Sequence, residues 1–246
     1  MNVVIDRLPA GQSLAFPPSH CPACSKPLAV KDLFPVLSYL QLRGRCRYCK
    51  ARIPVRLALV EAGTGAAFGL LYAYLGMTPQ LALALVYFGA LLAIALIDLD
   101  RQLILNKLVY PMAVLAVVVS IAAKGFTLSN GWGQLVVPGA RSAAIGFAIG
   151  LILFLLIAIL SRGGMGMGDV KMAALMGLML GFPSVLVGLF LAILAGGVVA
   201  LILLALRKKG RKQAIPFGPF LVLGTMLALL WGPQLWQAYL SLFNWT

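Results

Sequence analysis

The chain has 246 residues, 62% of them hydrophobic and 11% charged, with a mean hydropathy of +1.00, which excludes a soluble domain of this size and points to a polytopic membrane protein. Its formal charge of +14 comes from 20 Lys and Arg against 6 Asp and Glu. The cations lie mainly in stretches flanking apolar runs, so they point to membrane orientation and anionic lipid and not to nucleic acid.

The chain opens on MNVVIDRLPAGQ, which lacks an apolar core long enough for a cleavable signal peptide. Residues 1–56 are therefore expected to begin in water, as a module separate from 57–246. They hold all four cysteines. Cys21-Pro22-Ala23-Cys24 and Cys46-Arg47-Tyr48-Cys49 are separated by 21 residues, close to zinc-ribbon spacing, in which each Cys-x-x-Cys knuckle gives two thiolates to a tetrahedral ion. Structural Zn²⁺ on Cys21, Cys24, Cys46 and Cys49 is the expectation, with His20 a bystander and reduced thiols implying a cytoplasmic module. The other reading is a free-thiol or redox role.

Runs near the roughly 20 residues that cross a bilayer follow at 57–76, 81–97, 108–123, 142–160, 170–182, 184–206 and 217–231. Seven spans in an all-α protein are expected. Gly181, Phe182 and Pro183 bound the short fifth run, and Gly232-Pro233 is expected to close the seventh before an amphipathic WQAYLSLFNW tail. Glu61 lies four residues into the first run and should find a partner, with Arg56 a candidate. A cytoplasmic N-terminus and seven crossings put 18 of the 20 basic residues on the cytoplasmic side, including the run 207–212, and leave only Lys124 and Arg141 outside.

Apart from Glu61, the only carboxylates after residue 56 are Asp98, Asp100 and Asp169. An ionised carboxylate in hydrocarbon costs roughly 2.5 to 3.5 kcal/mol on insertion scales, so such groups persist where they act. Asp98 and Asp100 end the second run and Asp169 begins the fifth, so all three are assigned to the cytoplasmic membrane face. Asp98 and Asp100 stand roughly 200° apart around a helix, so one of them faces any given partner. Their bland reading is an interfacial pair at a wetted helix end. Asp169 follows the glycine-dense Gly163-Gly164-Met165-Gly166-Met167-Gly168, where glycines permit positive φ and close backbone approach. The bland reading there is a flexible loop with a helix-capping acid. Two carboxylates sharing a restricted dielectric do not both ionise readily, so one keeps a proton while the other acts as base on a shared water. That is aspartic-protease chemistry, and it needs neither a metal nor a Ser/His nucleophile. The rival class is a transporter using these acids as an ion path.

Taken together, NVVIDRLP, FPVLSYLQLRGRCRYC, VEAGTG, IDLDRQLILN, GMGMGDVKMAALMG and IPFGPFLVLG make the chain resemble the type IV prepilin peptidases, membrane aspartyl proteases of the GxGD type. The resemblance implies catalytic roles for Asp98 and Asp169, and support from Asp100, Gly166, Gly168 and Lys171. It also implies removal of a basic leader from prepilin-like precursors at a bacterial inner membrane, followed by N-methylation using S-adenosylmethionine; the alternative is a peptidase without the methyltransferase activity. No Rossmann-type glycine loop marks where S-adenosylmethionine binds. Two departures stand out. Ile104-Leu105-Asn106 replaces the family's usual Leu-Pro-Asp, and the chain begins with Met1 where relatives carry an apolar span, so seven spans are expected in place of eight.

Overall fold

The computed structural model describes residues 1–122, 135–161, 164–206 and 216–242. Lys124, Gly163 and the basic run 207–212 lie outside the described residues. Among those described there is no strand beyond two isolated bridges, and the chain divides into two compact units, Met1–Ala73 and Tyr74–Thr246.

The first unit contains α1 (Asn2–Arg7), a 3₁₀ turn (Val30–Asp32), α2 (Leu37–Gln41) and most of α3 (Val55–Leu75). Its cysteine knuckles are built twice on one plan. In each, the first cysteine's carbonyl accepts the N–H four residues on, from Ser25 and from Lys50, at 2.8 and 3.1 Å. Its own N–H donates one residue further, to Lys26 and Ala51, at 3.0 and 2.8 Å. Bridges His20–Pro27 and Arg45–Arg52 close the two loops. Ser25 and Lys50, each directly after the second cysteine, take left-handed φ of 55° and 60°. The side chain of Asp32 reaches into this unit and accepts two hydrogen bonds from the Arg47 guanidinium, at 2.6 and 2.8 Å.

The Arg47 hydrogen bonds hold the Asp32 carboxyl below the usual carboxylate range. A depressed folded-state value means that the pair stabilises the unit above the ordinary carboxylate pKa. That contribution is lost only as acid titrates Asp32 in the folded state. Asp32 is 3% exposed in its side chain and Arg47 33%, so Asp32→Ala is expected to cost about 1–2 kcal/mol, between the surface and buried limits for such pairs. Thermal unfolding of the variant against wild type checks this.

Glu61 takes hydrogen bonds from the Asn2 side chain at 3.2 Å and the Val36 backbone N–H at 3.2 Å. Arg56 instead lies 4.0 Å from Asp6. A partner for Glu61 was expected, and it comes from an amide and a backbone donor where a cation seemed the natural choice.

The second unit is a helical bundle: α4 (Pro79–Arg101), α5 (Asn106–Ala122), α6 (Ala140–Leu160), α7 (Met167–Leu180), α8 (Ser184–Ala205) and α9 (Gly218–Leu242). With α3, these fall on the seven apolar runs. By length and composition α3, α4, α6, α8 and α9 can cross a membrane; α5 and α7 have 17 and 14 residues. One boundary differs from expectation. Helix α9 runs through Gly232-Pro233 to Leu242. Pro233 cannot donate to the carbonyl four residues back, that of Leu229, and that oxygen instead accepts the N–H of Val136 at 2.8 Å. With the orphaned acceptor satisfied, the helix has no reason to stop.

Small residues set the helix packing. A Cβ at Gly146 or Gly150 of α6 would collide with the Gly177 or Ala173 carbonyl of α7, and one at Gly177 with the backbone of Gly146. Two helices in such contact have backbones meeting directly, as small-xxx-small seams allow in bilayers. The seam fixes the roll of α7 and hence the direction in which its first turn points. Gly177→Leu should lower stability by at least about 1–3 kcal/mol, the usual cost of overpacking, measured by unfolding in detergent beside Leu156→Ala on the exposed face of α6 as a mild control.

Candidate active site

Helix α4 starts with Pro79 at its first turn after Thr78, a position where the missing N–H costs nothing. It ends at Arg101, where Gln102 adopts φ 54°, ψ 42° and returns its N–H to the Asp98 carbonyl at 2.8 Å. This left-handed cap ends the helix just past the acid pair. Within the pair the two sides of the helix differ sharply. Asp98 is 5% exposed, whereas Leu99 and Asp100 lie on the open surface.

The Asp98 carboxylate is held from the other side by the first residue of α9. Its Oδ2 accepts the backbone N–H of Gly218 at 3.0 Å, so the acid sits at the unsatisfied N–H end of a long helix, where negative charge is favoured. Gly218 has to be small: a Cβ there would lie 2.5 Å from Oδ2 and 2.9 Å from the carboxyl carbon. Phe217, just before it, packs on Phe154 and Phe220 with ring centres 6.0 Å away in both cases. The segment IPFGPFLVLG marked the resemblance, but its role as a donor to Asp98 was not read from the sequence. The only signal was a Gly-Pro at a helix start.

Asp169 lies in the first turn of α7 after the cap residue Gly166, and its N–H donates to the Gly166 carbonyl at 3.1 Å. Asp98 and Asp169 stand close enough for their charges to act on one another. Both α4 and α7 pack against α9, and that shared partner brings the two acids together across 71 positions of sequence. Of the two uses expected of the glycines before Asp169, positive φ and close approach, Gly166 and Gly168 do not show the first. Gly166 has φ −73°, and neither it nor Gly168 has positive φ. At Gly168 a Cβ would sit 3.0 Å from the Ile104 Cβ, while at Gly166 its nearest neighbour would be the Asp169 Oδ2 at 3.7 Å. What Gly168 provides is room against the α4–α5 loop.

Lys171, one turn into α7, donates to the Asn106 side-chain oxygen at 3.1 Å, with its ammonium 5.9 Å from the centre of the Tyr110 ring. Asn106, the last residue of Ile104-Leu105-Asn106, thus ties the start of α5 to Lys171 through a neutral oxygen. A cavity of about 520 Å³ lies at the opposite ends of these helices, lined by Arg141, Ser142, Phe182, Pro183 and Gln234 among others and by no carboxylate. It is not where acid chemistry can occur.

In the first unit the four cysteine sulfurs lie within 4.8 Å of one another, with Cys21 and Cys49 at 3.8 Å. A tetrahedral thiolate site with metal–sulfur bonds of about 2.3 Å needs sulfurs about 3.8 Å apart, so the donor set and spacing fit a metal ion. Backbone N–H groups of Cys49 and Tyr48 aim at the Cys46 sulfur and lower its thiol pKa, while burial and the neighbouring thiols raise that of Cys49. His20 is exposed, its ring paired with the Pro18 carbonyl at 3.2 Å, and it is outside the cluster.

Among the described residues, a bundle of apolar helices of membrane length and a four-cysteine module define a polytopic membrane protein. Residues 1–75 match the bacterial peptidase A24 N-terminal domain, and residues 85–201 match the type IV leader peptidase family. The chain is 32% identical over 95% of its length to the prepilin leader peptidase/N-methyltransferase of Stutzerimonas stutzeri, covering 79% of that protein. It is 36% identical over 93% of its length to the protein of that name from Aeromonas salmonicida strain A449, covering 76% of it, and 28% identical over 96% to that of Bacillus subtilis, covering 90%. The chain belongs to the type IV leader peptidase family and is a peptidase. No solved structure matches it significantly.

Proposed function

We propose that this protein removes the basic leader from type IV prepilin-like precursors, with Asp98 and Asp169 as the catalytic pair. The observation that carries this reading is that the two acids lie within reach of each other's charge, Asp98 buried against the Gly218 N–H and Asp169 in the first turn of α7. In the cleavage step one carboxyl keeps its proton and polarises the scissile carbonyl, while the other takes a proton from the attacking water. Water oxygen bonds to the carbonyl carbon, the C–N bond breaks, and the leaving amine takes a proton from the acid. Asp100, Gly166, Gly168 and Lys171 support the pair, Lys171 by tying the α7 start to α5 through Asn106. Membranes containing wild-type protein should cleave a leader-bearing pilin, and those containing Asp169→Ala protein should not. Equal cleavage by both would remove the proposal.

The names of the relatives support a second step, N-methylation of the new N-terminus from S-adenosylmethionine. Labelled methyl transfer to cleaved pilin tests it separately from cleavage. We further assign residues 1–56 to a cytoplasmic module and 57–246 to the membrane domain, crossing a bacterial inner membrane seven times with its basic loops on anionic lipid and no part in nucleic-acid binding. Cys21, Cys24, Cys46 and Cys49 would hold a structural Zn²⁺, which supplies cross-linking to a unit too small for a large core. Elemental analysis should find about one Zn²⁺ per chain, falling when Cys46→Ser and Cys49→Ser are combined. A metal-free reduced preparation with an intact first unit would overturn the assignment.

A further inference from the structure

The segment between the two knuckles has its polarity inside out. Val30 on the 3₁₀ turn, Leu33 and Phe34 in the loop after it, and Leu37 and Leu40 on α2 are 79, 51, 58, 63 and 65% exposed. The groups that turn inward are polar. Asp32 is buried on Arg47, the Val36 N–H donates to Glu61, and the Tyr39 hydroxyl lies where a Cβ on Gly44 would stand 2.8 Å away. An apolar stripe held outward by polar anchors is a surface built to be covered.

The anchor to Glu61 also fixes where that surface lies. Glu61 is six residues, about 9 Å, along α3, and the 21 residues of α3 extend about 31 Å, close to the thickness of a hydrocarbon core. Val36 is therefore seated beside the first third of an apolar helix that is long enough to cross a membrane. Its φ of 61° is strained for a β-branched residue, and this turn is what directs its N–H at Glu61. Exposed Lys31, Arg43 and Arg45 flank the stripe.

We propose that residues 30–40 form an interfacial anchor, with Val30, Leu33, Phe34, Leu37 and Leu40 seated among the upper acyl carbons of an anionic phospholipid leaflet and Lys31, Arg43 and Arg45 on its phosphates. Exposed apolar side chains accompanied by exposed cations match the chemistry of a segment seated at an anionic membrane interface. This surface is distinct from the acid pair and goes beyond the proposed cleavage reaction.

The full-length Leu37→Trp protein, reconstituted in phosphatidylethanolamine–phosphatidylglycerol vesicles, tests the anchor. After subtraction of wild-type emission, the introduced indole should lose at least about half its fluorescence when the lipids carry bromine on shallow acyl carbons. Replacing phosphatidylglycerol with phosphatidylcholine, or adding Lys31→Gln and Arg43→Gln, should weaken that quenching. Metal content equal to wild type shows that the first unit stays folded in each variant. Emission indifferent to bromine overturns the proposal. So does quenching relieved by a saturating leader-bearing pilin peptide, which would make the stripe a substrate face, or emission that follows protein density and not lipid bromination, which would make it a contact between copies.

Discussion

Leader cleavage should fall by at least about 10²-fold in Asp98→Asn and Asp169→Asn proteins, since removing one partner of an acid–base pair forfeits general acid–base catalysis worth roughly 10²–10⁴. The amide keeps the carboxylate's volume, so both proteins should insert and fold. Asp98→Asn retains an oxygen that can accept the Gly218 N–H, the bond seen at 3.0 Å, which separates loss of chemistry from loss of packing. Asp100, on the opposite and open side of α4, should keep substantial activity when changed to alanine. Initial rates on a leader-bearing pilin, normalised to inserted protein, provide the check. An inactive Asp100→Ala protein beside an active Asp98→Asn protein would reverse the assignment within the pair.

Gly218→Ala should be nearly as damaging, although it removes no functional group. The added Cβ would meet Asp98 at 2.5 Å from Oδ2, 2.9 Å from Cγ and 3.3 Å from Cβ, and a short, buried side chain has no free end that can swing aside. Either the carboxylate or the start of α9 must move. A displacement of about 1 Å in a reacting group can cost about 10²-fold in rate, so a loss of one to two orders of magnitude is expected, about 10- to 100-fold, with the unfolding midpoint little changed. At Gly166, where a Cβ finds only ordinary contact distances, alanine should be tolerated on steric grounds. Comparing turnover and stability for Gly218→Ala and Gly166→Ala distinguishes crowding at Asp98 from a general need for glycine near the acids.

The sequence makes helices easy to find because apolar runs of bilayer length have few other solutions, and each of the seven runs is mainly helical over its described residues. It also marks the knuckles, whose spacing is a property of local chain geometry. What it hides are partnerships made by the backbone. The Gly218 N–H that binds Asp98 comes from 120 residues away and has no residue-type signature, and the Val136 N–H that lets α9 continue past Pro233 is equally anonymous. Glu61 shows the same bias, since charge suggested Arg56 and the donors are an amide and a peptide N–H. The glycine cluster before Asp169 was informative about location but not about cause, because small size can serve backbone torsion or clearance, and here Gly168 serves clearance against Ile104. The apolar stripe at residues 30–40 is present in the sequence, yet its outward direction follows only from the inward anchors Asp32 and Val36.

The donor to Asp98 belongs to the main chain, and this has a consequence for any inhibitor designed to compete for it. Resistance usually arises by exchanging the side chain that a compound contacts. Here every residue type at position 218 except proline would still present an N–H, while the clearance around Asp98 excludes the larger ones. A compound that captured this hydrogen bond would therefore address a feature the gene has almost no means of deleting by a single codon change without also losing the peptidase.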